Sequence, residues 1–189
     1  MEDNSVSFDF LEKLQTFMSA PKYIESPIVV KEKRPQHATS LEYTKDLNSS
    51  VEFGKPFLSI EVKHGDSHFF SAKMLTKLDK SDSKMLLRYD SSGKTHRNSF
   101  DDIPLVEQKI TTPHIHYIDN SGRSLAKKTD EILADEEKAR DIKYGFPIFC
   151  KEGNIYAELS TVFPKIHIGE EATLPFEMDE FDPCAGVKF

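Results

Sequence analysis

Apolar residues at Val6, Phe10, Leu11, Leu14, Phe17 and Met18 recur every three or four positions, behind Asn4-Ser5 as an N-cap and ahead of Pro21. That spacing predicts an amphipathic helix over 6–19, with its aromatic stripe turned to a core. The period then shortens. Ile28-Val29-Val30 follows Pro27, Leu41-Glu42-Tyr43-Thr44 is a second short run, and Phe57 to Val62 alternates apolar and polar residues as a half-buried antiparallel strand does. Gly65-Asp66 turns the chain into a further strand, so a hairpin is expected, with His64 and His68 exposed on it. Lys84 to Asp90 is a strand stopped by Ser91-Ser92-Gly93. Val106 to Ile110 leads to His114-Ile115-His116-Tyr117-Ile118, a short strand opened by Pro113 and closed by Asp119-Asn120-Ser121-Gly122.

Beyond Leu125 the pattern turns helical. Leu125 to Lys143 is rich in charge and helix formers, with Thr129 or Asp130 as N-cap, and reads as a surface helix ended at Tyr144-Gly145. Ile155 to Phe163 offers a second helical face, stopped before Pro164. The sum is an α+β fold: an antiparallel sheet of about five or six strands, with an N-terminal helix and C-terminal helices packed on it. A single domain is expected over 1–168, followed by an acidic tail over 169–189.

Composition narrows the class. At 189 residues, with 38% hydrophobic residues of which 14 are Phe, the chain can build one sizeable core. No apolar run approaches the ~18–20 residues of a membrane span, and acids stand at the N-terminus where a signal peptide carries bases, so a soluble cytosolic protein is expected. Net charge is −7. Proteins that grip a nucleic-acid backbone do so with basic patches, whereas an acidic chain favours a basic protein partner; the plainer role of such charge is solubility. In the tail, Glu170, Glu171, Asp179, Glu180 and Asp182 interleave with Leu174, Phe176, Met178 and Phe181, the pattern of a partner-binding segment or of a solvating one.

Candidate chemistry gathers on the histidines. On a strand, His114 and His116 look the same way and Ile115 and Tyr117 the other. His96 follows a neighbouring strand and can approach the pair. Zinc takes imidazole nitrogen at about 2.0–2.1 Å, with four ligands in structural sites, so His96, His114 and His116 form an open set that Cys150 or Asp119 would close. Cys150 and Cys184 are the only cysteines, too few for a disulfide framework or a CxxC site. The same histidines also suit a ribonuclease-like enzyme, one as general base and one as acid, with Arg88, Arg97 or Lys109 on the phosphate. Two polar residues on a solvated sheet face are the plain alternative. Phosphate-loop, dinucleotide, serine-hydrolase and H-E-x-x-H motifs are absent from the sequence.

The run Gly93-Lys94-Thr95-His96-Arg97-Asn98 and, after a spacer, Pro113-His114-Ile115-His116-Tyr117 resembles the signature of a poorly characterised bacterial and phage family, H-x-N followed by P-H-[LI]-H-x-Y behind a strand-rich first half. His96, Asn98, His114, His116 and Tyr117 fall on it, and the likeness covers residues 55–165. The tryptophan-containing segment that follows in that family has no counterpart, since the chain lacks Trp and reads Ser124-Leu125-Ala126. Size, acidity and this domain also resemble the phage-encoded type II-A anti-CRISPR proteins, inhibitors of Cas9 of which some bind metal. That resemblance implies an acidic protein occupying a basic nucleic-acid-handling surface of Cas9 in a bacterial host, with zinc holding the inhibitor's fold together.

Overall fold

The computed structural model describes residues 8–32, 39–78 and 83–169. The expected N-cap at Asn4-Ser5 lies outside the described residues. So do Cys184 and the tail from Glu170, including Glu171, Asp179, Glu180 and Asp182.

The chain opens on α1 (Phe8–Ser19), then β1 (Lys22–Ile24), β2 (Ile28–Glu32), β3 (Ser40–Asp46) and β4 (Asn48–Ser49). A long hairpin follows, β5 (Lys55–Lys63) and β6 (Asp66–Lys77), turning at Gly65, whose φ of 77° suits a residue without Cβ. Next come β7 (Lys84–Asp90), β8 (His96–Arg97), α2 (Leu105–Gln108), β9 (Lys109–Ile110), β10 (His114–Ile118) and β11 (Ser124–Lys127). Three helices, α3 (Asp130–Ala134), α4 (Glu136–Arg140) and α5 (Ile142–Gly153), precede β12 (Ile155–Ala157) and β13 (Ile166–Ile168). No helix among the described residues is long and apolar enough to cross a membrane.

The architecture is α+β, as the pattern predicts, with a larger sheet than expected. Eight strands run in the order β11-β10-β7-β6-β5-β3-β2-β13, antiparallel except for the parallel β2–β13 pair at one edge. The added strands are β11 and β13. Ser124 to Lys127 has helix formers, yet Leu125 and Ala126 are buried as they pair with Tyr117 and His116 of β10. Burial and ladder hydrogen bonds outweigh a helix preference of a few tenths of a kcal/mol per residue.

Alternation along the strands gives the main sheet two unlike faces. Leu58, Ile60, Val62, Phe70, Ala72, Met74, Leu87, Tyr89 and Ile115 form one face, all buried in the core that α5 covers. The Tyr89 hydroxyl donates to the Ala139 carbonyl at 2.7 Å, tying α4 to the same face. The expected helix end at Tyr144-Gly145 lies instead inside α5. Gly145 is there for close approach: a Cβ would stand 2.5 Å from the Ala139 carbonyl oxygen and 2.7 Å from the Phe70 ring. Asp141 caps α5 by accepting from the Lys143 N–H at 2.8 Å, and Asn154 ends it at a φ of 51°. The helix expected after Ile155 is replaced by β12, parallel to β1 in a small sheet with β4. Helix α1 closes one end of the core, where the Phe17 and Phe10 rings meet Phe53 at 5.3 and 5.5 Å.

Candidate metal centre

On the uncovered face, strand register decides which polar groups meet. In the β7–β10 pair His114 stands opposite Asp90, and His116 opposite Arg88. The period of two along each strand then brings Asp90, His114 and His116 to one patch. The His114 and His116 Nε2 atoms are 2.9 Å apart, and Asp90 Oδ2 is 3.3 Å from His116 Nε2 and 3.7 Å from His114 Nε2. Three ligand atoms about 2.0–2.1 Å from one ion would stand roughly 2.9–3.4 Å apart, so these spacings are close to those of a metal shell. The residues are also sheltered, with exposures of 1% for His114, 7% for Asp90 and 8% for His116.

The surroundings set the protonation of Asp90 and His114 as a cation would need it. Burial alone would raise the Asp90 carboxyl, but hydrogen bonds from His116, Arg88 and Ser71 outweigh it and leave the group at about 2. Arg88 Nε and Ser71 Oγ occupy Asp90 Oδ1 at 2.8 and 3.0 Å, leaving Oδ2 to face the histidines. His114 is pushed down to about 4, mainly by burial and then by the neighbouring His116 charge. A neutral imidazole beside an ionised carboxylate is the form that binds metal. Nδ1 of His114 is buried without a hydrogen-bond partner, the Thr111 carbonyl being the backbone group that acts on the ring.

The strand ends are pinned from outside the patch. Arg140 of α4 donates to the Ser91 carbonyl at 3.2 Å and to the Thr112 carbonyl at 2.9 Å, joining the end of β7 to the start of β10. Ser91 Oγ accepts from the Phe70 N–H at 2.8 Å, which fixes the same corner to β6.

His96 comes from the small β8–β9 hairpin, where it pairs with Ile110. Its ring meets His116 edge-on at 4.6 Å between centroids and lies 6.3 Å from His114, beside the tight group of three. Burial, and next the His116 charge, lower its pKa. Asn98 explains how the hairpin is held: its Nδ2 donates to the Ala126 carbonyl at 2.8 Å, and its Oδ1 accepts from the Ala126 N–H at 2.9 Å. Ala126 is itself opposite His116, so the asparagine extends the sheet edge as a short strand would. The H-x-N spacing thus supplies a ring over the patch and the clamp that positions it.

Cys150 is not brought there. It is fully buried on α5, the helix covering the opposite face, and burial pushes its thiol well above the ordinary value. A neutral thiol across the sheet cannot serve as the fourth ligand. Asp119 is likewise engaged elsewhere, accepting from Arg123 Nε at 2.7 Å in the β10–β11 turn. Tyr117 turns to the covered side, with Lys127 Nζ 5.2 Å from its ring centroid. Asp90 is the candidate ligand that sequence reasoning missed. The available signal was an acid at the end of a strand neighbouring the H-x-H strand, with a parity that only the β7–β10 register resolves.

Comparison of the chain with protein-family models, with curated proteins and with solved structures finds no match. What the residues themselves establish is that the buried Asp90–His114–His116 group can hold a metal ion.

Proposed function

We propose that this chain is a zinc-binding interaction protein, its ion held by Asp90, His114 and His116 with His96 as the fourth ligand. It acts by covering a basic surface of a partner protein. The observation that carries the metal reading is the convergence of the two Nε2 atoms and Asp90 Oδ2 within 2.9–3.7 Å of one another. Imidazole and carboxylate donors suit zinc, and His96, beside the group of three, would complete the four protein ligands of a structural ion. Shelter of the histidine pair favours this reading over the ribonuclease one, since a general acid and base must reach a substrate. An ion bound to the folded chain alone stabilises it by mass action. The partner role draws on the net charge of −7, and the resemblance of the sequence to type II-A anti-CRISPR proteins makes Cas9 the partner proposed.

Elemental analysis of protein purified without a metal column tests the first part. About one zinc per chain is expected, lost together with several degrees of melting temperature in the His114→Ala/His116→Ala variant. Metal-free wild type would overturn the reading. If the double variant instead keeps its stability and loses an RNA-cleaving activity, the histidines are catalytic. For the second part, zinc-loaded protein is added to Cas9 before target DNA. Reduced cleavage that recovers at higher salt is expected, and unimpaired cleavage at saturating protein removes Cas9 as the partner.

A further inference from the structure

β13 ends the main sheet at the edge away from β7 and β10, pairing only Ile166–Ile168 with Ile28–Val30. Where this strand meets the start of α5, a groove of about 710 Å³ opens. Ile142 and Phe146 in its lining are buried, whereas Phe163, Ile166 and Ile168 are only partly covered among the described residues, so apolar surface faces the groove. Its rim is basic. Lys143 and Lys165 line it, both exposed, and neither makes an ion pair among the described residues. Asp141, the one acid in the lining, is already engaged: Oδ1 accepts from the Lys143 N–H at 2.8 Å and Oδ2 from Ser67 Oγ at 3.2 Å.

An edge strand beside part-covered apolar side chains is a place where a further stretch of chain adds on, and the two unpaired lysines favour an acidic one. The chain itself supplies such a stretch. Every charged residue from Glu170 to Asp182 is an acid, and Leu174, Phe176, Met178 and Phe181 are spaced among them. It also starts at the groove. Ile168 is part of the lining, and Gly169 follows with a φ of 94°, its N–H donating to the Val30 carbonyl at 3.1 Å. A Cβ on Gly169 would meet nothing within 4 Å, so the glycine serves a turn of the backbone and not close packing. A segment tethered beside a site reaches it at an effective concentration on the order of millimolar, which favours it over a free peptide of like sequence.

We infer that this groove is a docking site for an acidic, aromatic-bearing segment, and that residues 170–182 of the same chain occupy it. Their apolar side chains lie against Phe163, Ile166 and Ile168, and their acids on Lys143 and Lys165. The inference is independent of the metal reading, since no residue of the metal group lines the groove.

Chymotrypsin, which cuts after aromatic residues, tests this on the full chain, with cuts after Phe176 and Phe181 followed by mass spectrometry. Each chain is compared with a synthetic peptide of its own residues 170–189. At low salt the wild-type chain should be cut at those bonds about tenfold more slowly than its peptide, at a rate independent of protein concentration. Lys143→Glu/Lys165→Glu should remove the protection and leave the melting temperature unchanged. Adding Glu177→Lys/Asp179→Lys to that variant should restore the protection, which a merely structural role of the lysines would not do. Cleavage of the wild-type chain at the peptide's rate overturns the inference, as does protection undiminished in the lysine variant. Protection that grows with protein concentration puts the tail on a second copy and overturns docking within one chain. A charge-swapped chain that stays unprotected overturns the pairing of the acids with these lysines.

Discussion

The two faces of the main sheet are built from the same strands and do opposite work. On one, Leu87, Tyr89 and Ile115 are buried beneath α5 with Phe146, Phe149 and Cys150. On the other, their immediate neighbours Arg88, Asp90, His114 and His116 form a polar patch in which the possible ligand atoms of the last three converge. Each fully buried large apolar side chain on the first face contributes about 1.5–3 kcal/mol, and that stability lets the second tolerate opposed like charges and buried histidines. Cys150 and Asp90 illustrate the divide. Both are sheltered metal-ligating types, but one is a neutral thiol inside an apolar layer and the other an ionised carboxylate among hydrogen-bond donors.

The sharpest way to break the comparison is to damage the covered face and watch the other. Phe146→Ala, at a fully buried site, should cost about 3–5 kcal/mol in denaturant unfolding, and metal binding should fail only as the fold does. If metal were lost while the chain stayed folded, the faces would be coupled more directly than their geometry implies. Asp90→Asn works the other way: the chain should stay folded, losing about 1–3 kcal/mol, while stoichiometric zinc uptake disappears from elemental analysis. Retained zinc would exclude Asp90 as a ligand.

Acid sharpens the contrast without mutation. His114 titrates at about 4 in the folded chain against an ordinary 6.5, so the unfolded state takes up its proton first. Its contribution to stability is whole above about 6.5, declines as pH falls, and is lost by about 4. Asp90, at about 2 against an ordinary 3.8, adds a second loss between those values. Zinc-free protein should therefore show a melting temperature that falls steadily from about pH 6.5 downward, and the slope between 6.5 and 4 should shrink in His114→Ala. A slope unchanged in that variant would contradict the assignment. The smallest effect is expected at Cys150→Ala, about 1 kcal/mol of stability with zinc content unaltered. Zinc loss there would return the thiol to the ligand set.

Much of the fold was legible because local rules and tertiary demands agreed. The α1 stripe, the β5–β6 hairpin at Gly65, and the β7 and β10 strands ended by their turn residues all follow from periodicity and breakers. Of the two caps read, Thr129 caps α3, accepting from the Ile132 N–H. The misread stretches are those where long-range packing overrode local preference. Gly145 and Pro147 look like helix breakers but lie within α5, whose close seat on the sheet requires a glycine. Val106 to Ile110, read as the lead-in to the central strand, divides between α2 and β9.

By itself the sequence determined that His114 and His116 share a strand face, because side-chain alternation is a property of the strand alone. It also fixed the class of fold and the excess of acid. Only the tertiary structure decided that Asp90 joins the pair, that His96 stands beside it through the Asn98–Ala126 clamp, and that Cys150 lies across the sheet. The physical reason is that register between strands and the face a helix covers are set by burial of the whole core, a sum over contacts distant in the chain, whereas alternation is set residue by residue.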